Sequence, residues 1–140
     1  GPVAHIHDDK TLLIPDRRGN NRIDSLRNIL RDPRVSLMFL IPGSSTIIRV
    51  NGKAFLTAEQ AVLDGLAEAG KPPRSAIVVT IDAVFFQCSR ALIRSKLWDG
   101  IEAVDDLPSA GQILANMTDG AVGGEEYDRA WPKRAVESLW

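Results

Sequence analysis

Cysteine is nearly absent: Cys88 is the one thiol in 140 residues. A single thiol closes no internal disulfide, so the chain suits a reducing cytoplasm. Histidine is almost as scarce, with His5 and His7 alone. As alternate residues they fall on one face of a strand, but no third ligand accompanies them and no Cys–His cluster exists to hold zinc, so no metal site is expected. No apolar run approaches the length that spans a membrane. No export-signal pattern occurs within these residues either, which leaves the sequon Asn116-Met117-Thr118 without consequence. Charge of one sign is missing too. The formal net charge is −1, with 25% of residues charged, so nucleic-acid binding would require a local basic strip and is not expected. Internal repeats and low-complexity runs are lacking.

What is present fits one domain with a real core, and its most informative stretch is residues 15–35. It reads as a strand end, a polar turn, a short helix and the start of a second strand. Asn20 or Asn21 suits a helix N-cap. Ile23, Leu26, Ile29 and Leu30 recur at helical spacing, and Asp32-Pro33 stops the helix because proline disfavours the helical conformation of its predecessor. The unpaired N–H groups of such a helix start suit an anion. Arg17, Arg18, Arg22 and Ser25 supply the donors that a phosphate takes. The same residues also describe a capped amphipathic helix with its basic face in water, and Asp24 could satisfy the cap itself. Spacing alone leaves both readings open.

Residues 12–29, followed by Asp32-Pro33-Arg34-Val35, resemble the pyridoxamine 5′-phosphate oxidase-like flavoproteins, closest to a bacterial subgroup of FMN-dependent enzymes with unassigned substrates. Arg49-Val50-Asn51-Gly52-Lys53-Ala54 and residues 86–98 extend the likeness in the right order. The resemblance implies an α+β, mainly β fold, an antiparallel split β-barrel, over residues 1–100. A C-terminal helical extension, residues 101–140, is expected to pack on the barrel or on a partner subunit. It also implies FMN as cofactor and a homodimer with flavin sites at the interface. Carried over residue by residue, it assigns Ile14, Pro15, Arg17, Asn21, Arg22 and Ser25 to the cofactor. It adds Thr46 and Arg49 near the ring, and Arg94, then Arg90, near the phosphate or the substrate side; Lys96 is a weaker candidate. Ile47 stands where better-known relatives carry a glutamine. The family's N-terminal helix and hairpin have no counterpart after Gly1-Pro2, so these residues are expected to be the C-terminal part of a longer native domain.

Along the remainder, residues 3–7 and 11–14 predict two short strands joined at Asp8-Asp9-Lys10. Residues 35–41 form a nearly continuous apolar run, read as a strand buried on both faces. Residues 46–50 return antiparallel to it, and Asn51-Gly52 marks a tight turn or bulge. Thr57 is expected to cap a second helix, with Gln60 three residues on, running past Ala69 to Gly70. Lys71-Pro72-Pro73-Arg74 is a stiff basic loop. The β-branched residues 75–88 predict one long strand or two bent ones. Ser89 is expected to cap a helix bearing Arg90 and Arg94, and Trp98 to pack rather than stack on a ligand. Residues 109–117 read as a short helix. Gly123-Gly124 is a break, and a further segment follows that Pro132 would kink. Tyr127, Trp131 and Trp140 are read as covering the body or a partner.

The leading expectation is an FMN-binding oxidoreductase acting on a small molecule, with the flavin carrying the redox chemistry. No convincing protein acid, base or nucleophile appears, so the catalytic residues are unknown. The alternatives are a flavin or haem binding and storage module without turnover, which the same barrel also serves, and an interaction domain without cofactor.

Overall fold

The computed structural model describes residues 2–19, 21–100 and 107–138, so Asn20 and Trp140 lie outside the described residues. The chain divides into two compact units, residues 1–100 and residues 101–139. The first contains β1 (His5–Asp8), β2 (Thr11–Asp16), α1 (Asp24–Arg31), β3 (Arg34–Leu40), β4 (Ile47–Thr57), α2 (Gln60–Gly65), β5 (Ser75–Gln87) and α3 (Arg90–Ser95). Its five strands form one antiparallel sheet in the order β1-β2-β5-β4-β3. Two hairpins, β1–β2 and β3–β4, are thus held together by the long β5, which pairs with β2 along one part and β4 along nearly all of its length.

Side-chain alternation explains the two cores. Leu12, Val50, Ala54 and Val79 are buried together, with Ile14, Val35, Leu37, Phe39, Ile48, Ile77, Ile81 and Ile29 of α1 packed against them. The strand members share one sheet face, because residues directly opposite in register point the same way. Leu13 and Ala76 point to the other face, where Leu63 of α2 and Leu66 just after it cover them. β4 and β5 are kept in step by a bulge. Asn51 pairs with Ala83 and Gly52 with Ile81, so Asp82 has no partner in the register. A Cβ on Gly52 would run into the Thr80 carbonyl oxygen. Asn51-Gly52 is therefore a bulge site within a continuous strand rather than a turn.

Several local expectations are corrected. α1 begins at Asp24 after Ile23, without a side-chain cap bond, so Asn21 does not cap it. Asn21 sits in the left-handed region at φ 58°. Residues 35–41 are not buried on both faces. β3 pairs only with β4 among the described strands and alternates exposed with half-buried positions, because it is a sheet edge. Thr57 caps no helix; its hydroxyl accepts from the Glu59 N–H at 3.1 Å, a local turn, and α2 spans only Gln60–Gly65. Ala69 and Gly70 lie instead at φ 49° and 75°, in a turn closed by the Glu68–Lys71 bridge. Ser89 precedes α3 but its side chain makes no cap bond.

The second unit contains α4 (Ala110–Met117) and α5 (Gly124–Ser138). Ser109 and Gln112 form a full capping box at the start of α4. Asp128 of α5 adds to it, accepting from the Gly111 N–H at 2.7 Å and from the Ser109 hydroxyl. The crossing is tight enough that a Cβ on Gly111 would meet the Gly124 carbonyl oxygen and Asp128. Thr118 closes the connection, donating to the Leu114 carbonyl and accepting from the Val122 N–H. α5 continues through Pro132. Within it Tyr127 and Trp131 stack on each other at 6.0 Å, with the Arg134 guanidinium over the tyrosine ring.

Candidate functional site

Where β2 ends, the chain makes a polar turn into α1 and leaves a cleft of about 720 Å³ lined by residues 16–19, residues 21–23 and Arg74. That volume lies in the range of small-molecule sites. The cleft gathers four guanidinium groups, those of Arg17, Arg18, Arg22 and Arg74, around one carboxylate, Asp16. Asp16 is held by the last pair of the β2–β5 register, Asp16 with Ser75, and accepts from the Ser75 hydroxyl at 3.0 Å. Arg17 is half-buried and reaches the Leu66 carbonyl at 3.3 Å and Glu68 at 4.0 Å. Arg22 pairs with Asp24 at 3.1 Å on the surface. Asp24 in the first turn also sets a negative charge against the positive end of α1. The helix start therefore already has its counter-charge, and the attraction for an anion comes mainly from the guanidinium groups.

Three residues expected at the cofactor, Arg17, Asn21 and Arg22, line this cleft. The remaining seven lie elsewhere. Ile14 faces the core from β2, and Pro15 beside it is half-buried opposite Ala76. Ser25 is exposed on α1. Thr46 is exposed just before β4, its N–H bonded to the Ser44 hydroxyl. Arg90 and Arg94 are exposed on the short α3. Arg49 ties three strands together. It donates to Gln87 of β5 at 2.9 Å and to Ser36 of β3 at 2.8 Å. Its Nε and the Oδ1 of Asn51, two residues along the same face of β4, are buried without a hydrogen-bond partner among the described residues. Met38 and Phe85, directly opposite Arg49 in the register, are exposed on either side. Trp98, expected to pack, donates its indole N–H to the Ser44 carbonyl at 2.6 Å and is otherwise exposed.

One member of the cleft carries no mark as a ligand in the sequence, whereas Arg18 already stood among the phosphate donors of the turn. Arg74 stands more than fifty residues away, and only the β2–β5 register brings it to the cleft. The one signal for it was the stiff Pro72-Pro73 pair before a strand. The donor set fits the phosphate end of a flavin nucleotide, since guanidinium forks match phosphate oxygens in pairs. Among the described residues no group of three or more His, Cys, Asp or Glu could hold a metal ion, and no helix is long and apolar enough to cross a membrane.

The family described as pyridoxamine 5′-phosphate oxidase has a model that matches residues 1–88, more than half of the chain. A comparison with the curated proteins found no match. Among solved structures, HupZ of Group A Streptococcus is 16% identical, with a TM-score of 0.50 over 73% of this chain and 74% of that one. A His-to-Ala variant of HupZ, also 16% identical, gives a TM-score of 0.51 over 61% of this chain and 73% of that one. At such identity the likeness shows the fold alone, a split barrel built on the antiparallel sheet.

Proposed function

Because the chain belongs to the pyridoxamine 5′-phosphate oxidase family, we propose that it is an FMN-binding oxidoreductase acting on a small molecule in the cytoplasm. The observation that carries this reading is the four-arginine cleft between the end of β2, the start of α1 and Arg74. Arg18 and Arg74, with Arg17 beside them, would hold the phosphate there, while Arg22, paired with Asp24, shapes the turn whose backbone N–H groups assist. Bound FMN would supply the redox chemistry. Thr46 and Arg49 remain the candidates for the ring, and Arg90 and Arg94 for the substrate side. Arg49 is already oriented by Ser36 and Gln87, which suits a group that must present a fixed charge.

A homodimer is part of the proposal. Met38, Phe55 and Phe85 on one sheet face, and Val84 and Phe86 on the other, are exposed, and a second copy would cover such surface. The second reading is a flavin or haem binding module without turnover. It is favoured by the titratable groups of the cleft, which are arginines and one carboxylate already bonded to Ser75. That set offers no evident general acid or base.

Titration with FMN and with riboflavin tests the cleft. A phosphate held by charge-assisted hydrogen bonds contributes about 1.5–3 kcal/mol per bond, so FMN should bind at least tenfold more tightly than riboflavin. Equal affinities would remove the phosphate from this cleft. Consumption of a reductant by the flavin-loaded protein then separates the oxidoreductase from the storage module.

A further inference from the structure

The charges of the cleft are not equivalent. Arg22 has Asp24 at 3.1 Å, and Arg17 has the Leu66 carbonyl and Glu68. Arg18 and Arg74 make no hydrogen bond or ion pair among the described residues. Arg18 follows the end of β2, and Arg74 precedes β5 directly, so the two approach from adjacent strand ends.

Arg74 is also held in place by its neighbours. Pro72 and Pro73 restrict the backbone ahead of it, and Pro73 is buried. Behind it, Ser75 bonds Asp16, and Ala76 is fully buried opposite Pro15. A guanidinium on a backbone fixed from both sides loses less freedom on binding than one on a loose loop. We infer that Arg74, acting with Arg18, forms a clamp that selects a phosphomonoester dianion in this cleft. Arg22 serves chiefly to shape the turn through Asp24.

This rests on the cleft being the FMN phosphate site, and the experiment keeps the two claims apart. FMN and riboflavin are titrated against the wild type and the Arg74→Ala, Arg74→Lys, Arg18→Ala and Arg22→Ala variants, with thermal unfolding checked for each. Arg74→Ala should lower FMN affinity about tenfold, the size of one charge-assisted hydrogen bond, and leave riboflavin affinity unchanged. Arg74→Lys should recover part of the loss, since an ammonium keeps the charge but not the fork. Arg18→Ala should behave like Arg74→Ala, and Arg22→Ala should change the FMN-to-riboflavin ratio less than about threefold. If Arg74→Ala keeps the wild-type ratio while Arg18→Ala or Arg22→Ala abolishes it, the role of Arg74 is refuted and the cleft stands. If the wild type itself does not prefer FMN, the cleft is refuted and the clamp falls with it.

Discussion

Asp32 and Arg34 straddle Pro33 and fix the corner between α1 and β3. The Arg34 side chain donates to both carboxylate oxygens of Asp32, and its backbone N–H donates to one of them at 3.1 Å. These bonds hold the Asp32 carboxyl at about 2, below its ordinary 3.8. A carboxyl lowered by folding contributes stability above its unfolded value, and that contribution is lost as pH falls through the folded one. The corner should therefore keep its full strength above about pH 4 and weaken toward pH 2. Arg34→Ala should return Asp32 toward its ordinary value in an NMR titration of its side chain; an unmoved midpoint would show that the guanidinium is not the cause. Residue chemistry of this kind was half legible. Asp-Pro announced the helix stop, whereas the Asp32–Arg34 bond depends on a geometry that proline and the edge strand impose. Arg74 was illegible for a different reason, because nothing local to it says that Asp16 will pair with Ser75.

Among the elements, pattern was a good guide where burial is one-sided and a poor one where the sheet ends. The β-branched run of β5 and the short helix α4 were readable directly. The apolar run of β3 was misleading: an edge strand that leaves Met38 and Leu40 exposed has the same sequence texture as a buried one. The start of α2 failed because Thr57 used its hydroxyl for a turn that competes with capping. Two glycines carry the tightest contacts of the elements. Gly52→Ala should cost about 1–3 kcal/mol, as overpacking does, since the obstacle is the Thr80 carbonyl of a paired strand. The midpoint of chemical denaturation reads it, and an unchanged midpoint would mean the bulge relaxes freely. Gly111→Ala should separate α4 from α5, because both the Gly124 carbonyl and Asp128 stand in the way. Loss of near-ultraviolet signal from the stacked Tyr127–Trp131 pair, with the β-sheet signal retained, is the expected outcome. An intact aromatic signal at wild-type stability would argue against a glycine-dependent crossing.

For the whole molecule, membership of the family and the split-barrel fold were legible because the motif from residue 12 to residue 35 is long and the later blocks keep its order. The site was legible only in part. Sequence spacing pointed to the start of α1, and the structure moves the weight to a cleft in which Arg18 and Arg74 are the guanidiniums without partners among the described residues. The central claim is that this cleft holds the phosphate of FMN. The most direct measurement is the identity of the chromophore that the protein takes up from an equimolar mixture of FMN, riboflavin and haem, released by denaturation and identified by mass. The account predicts FMN, near one per chain, in a dimer of twice the chain mass. Riboflavin bound as readily as FMN, or haem in its place, would contradict it.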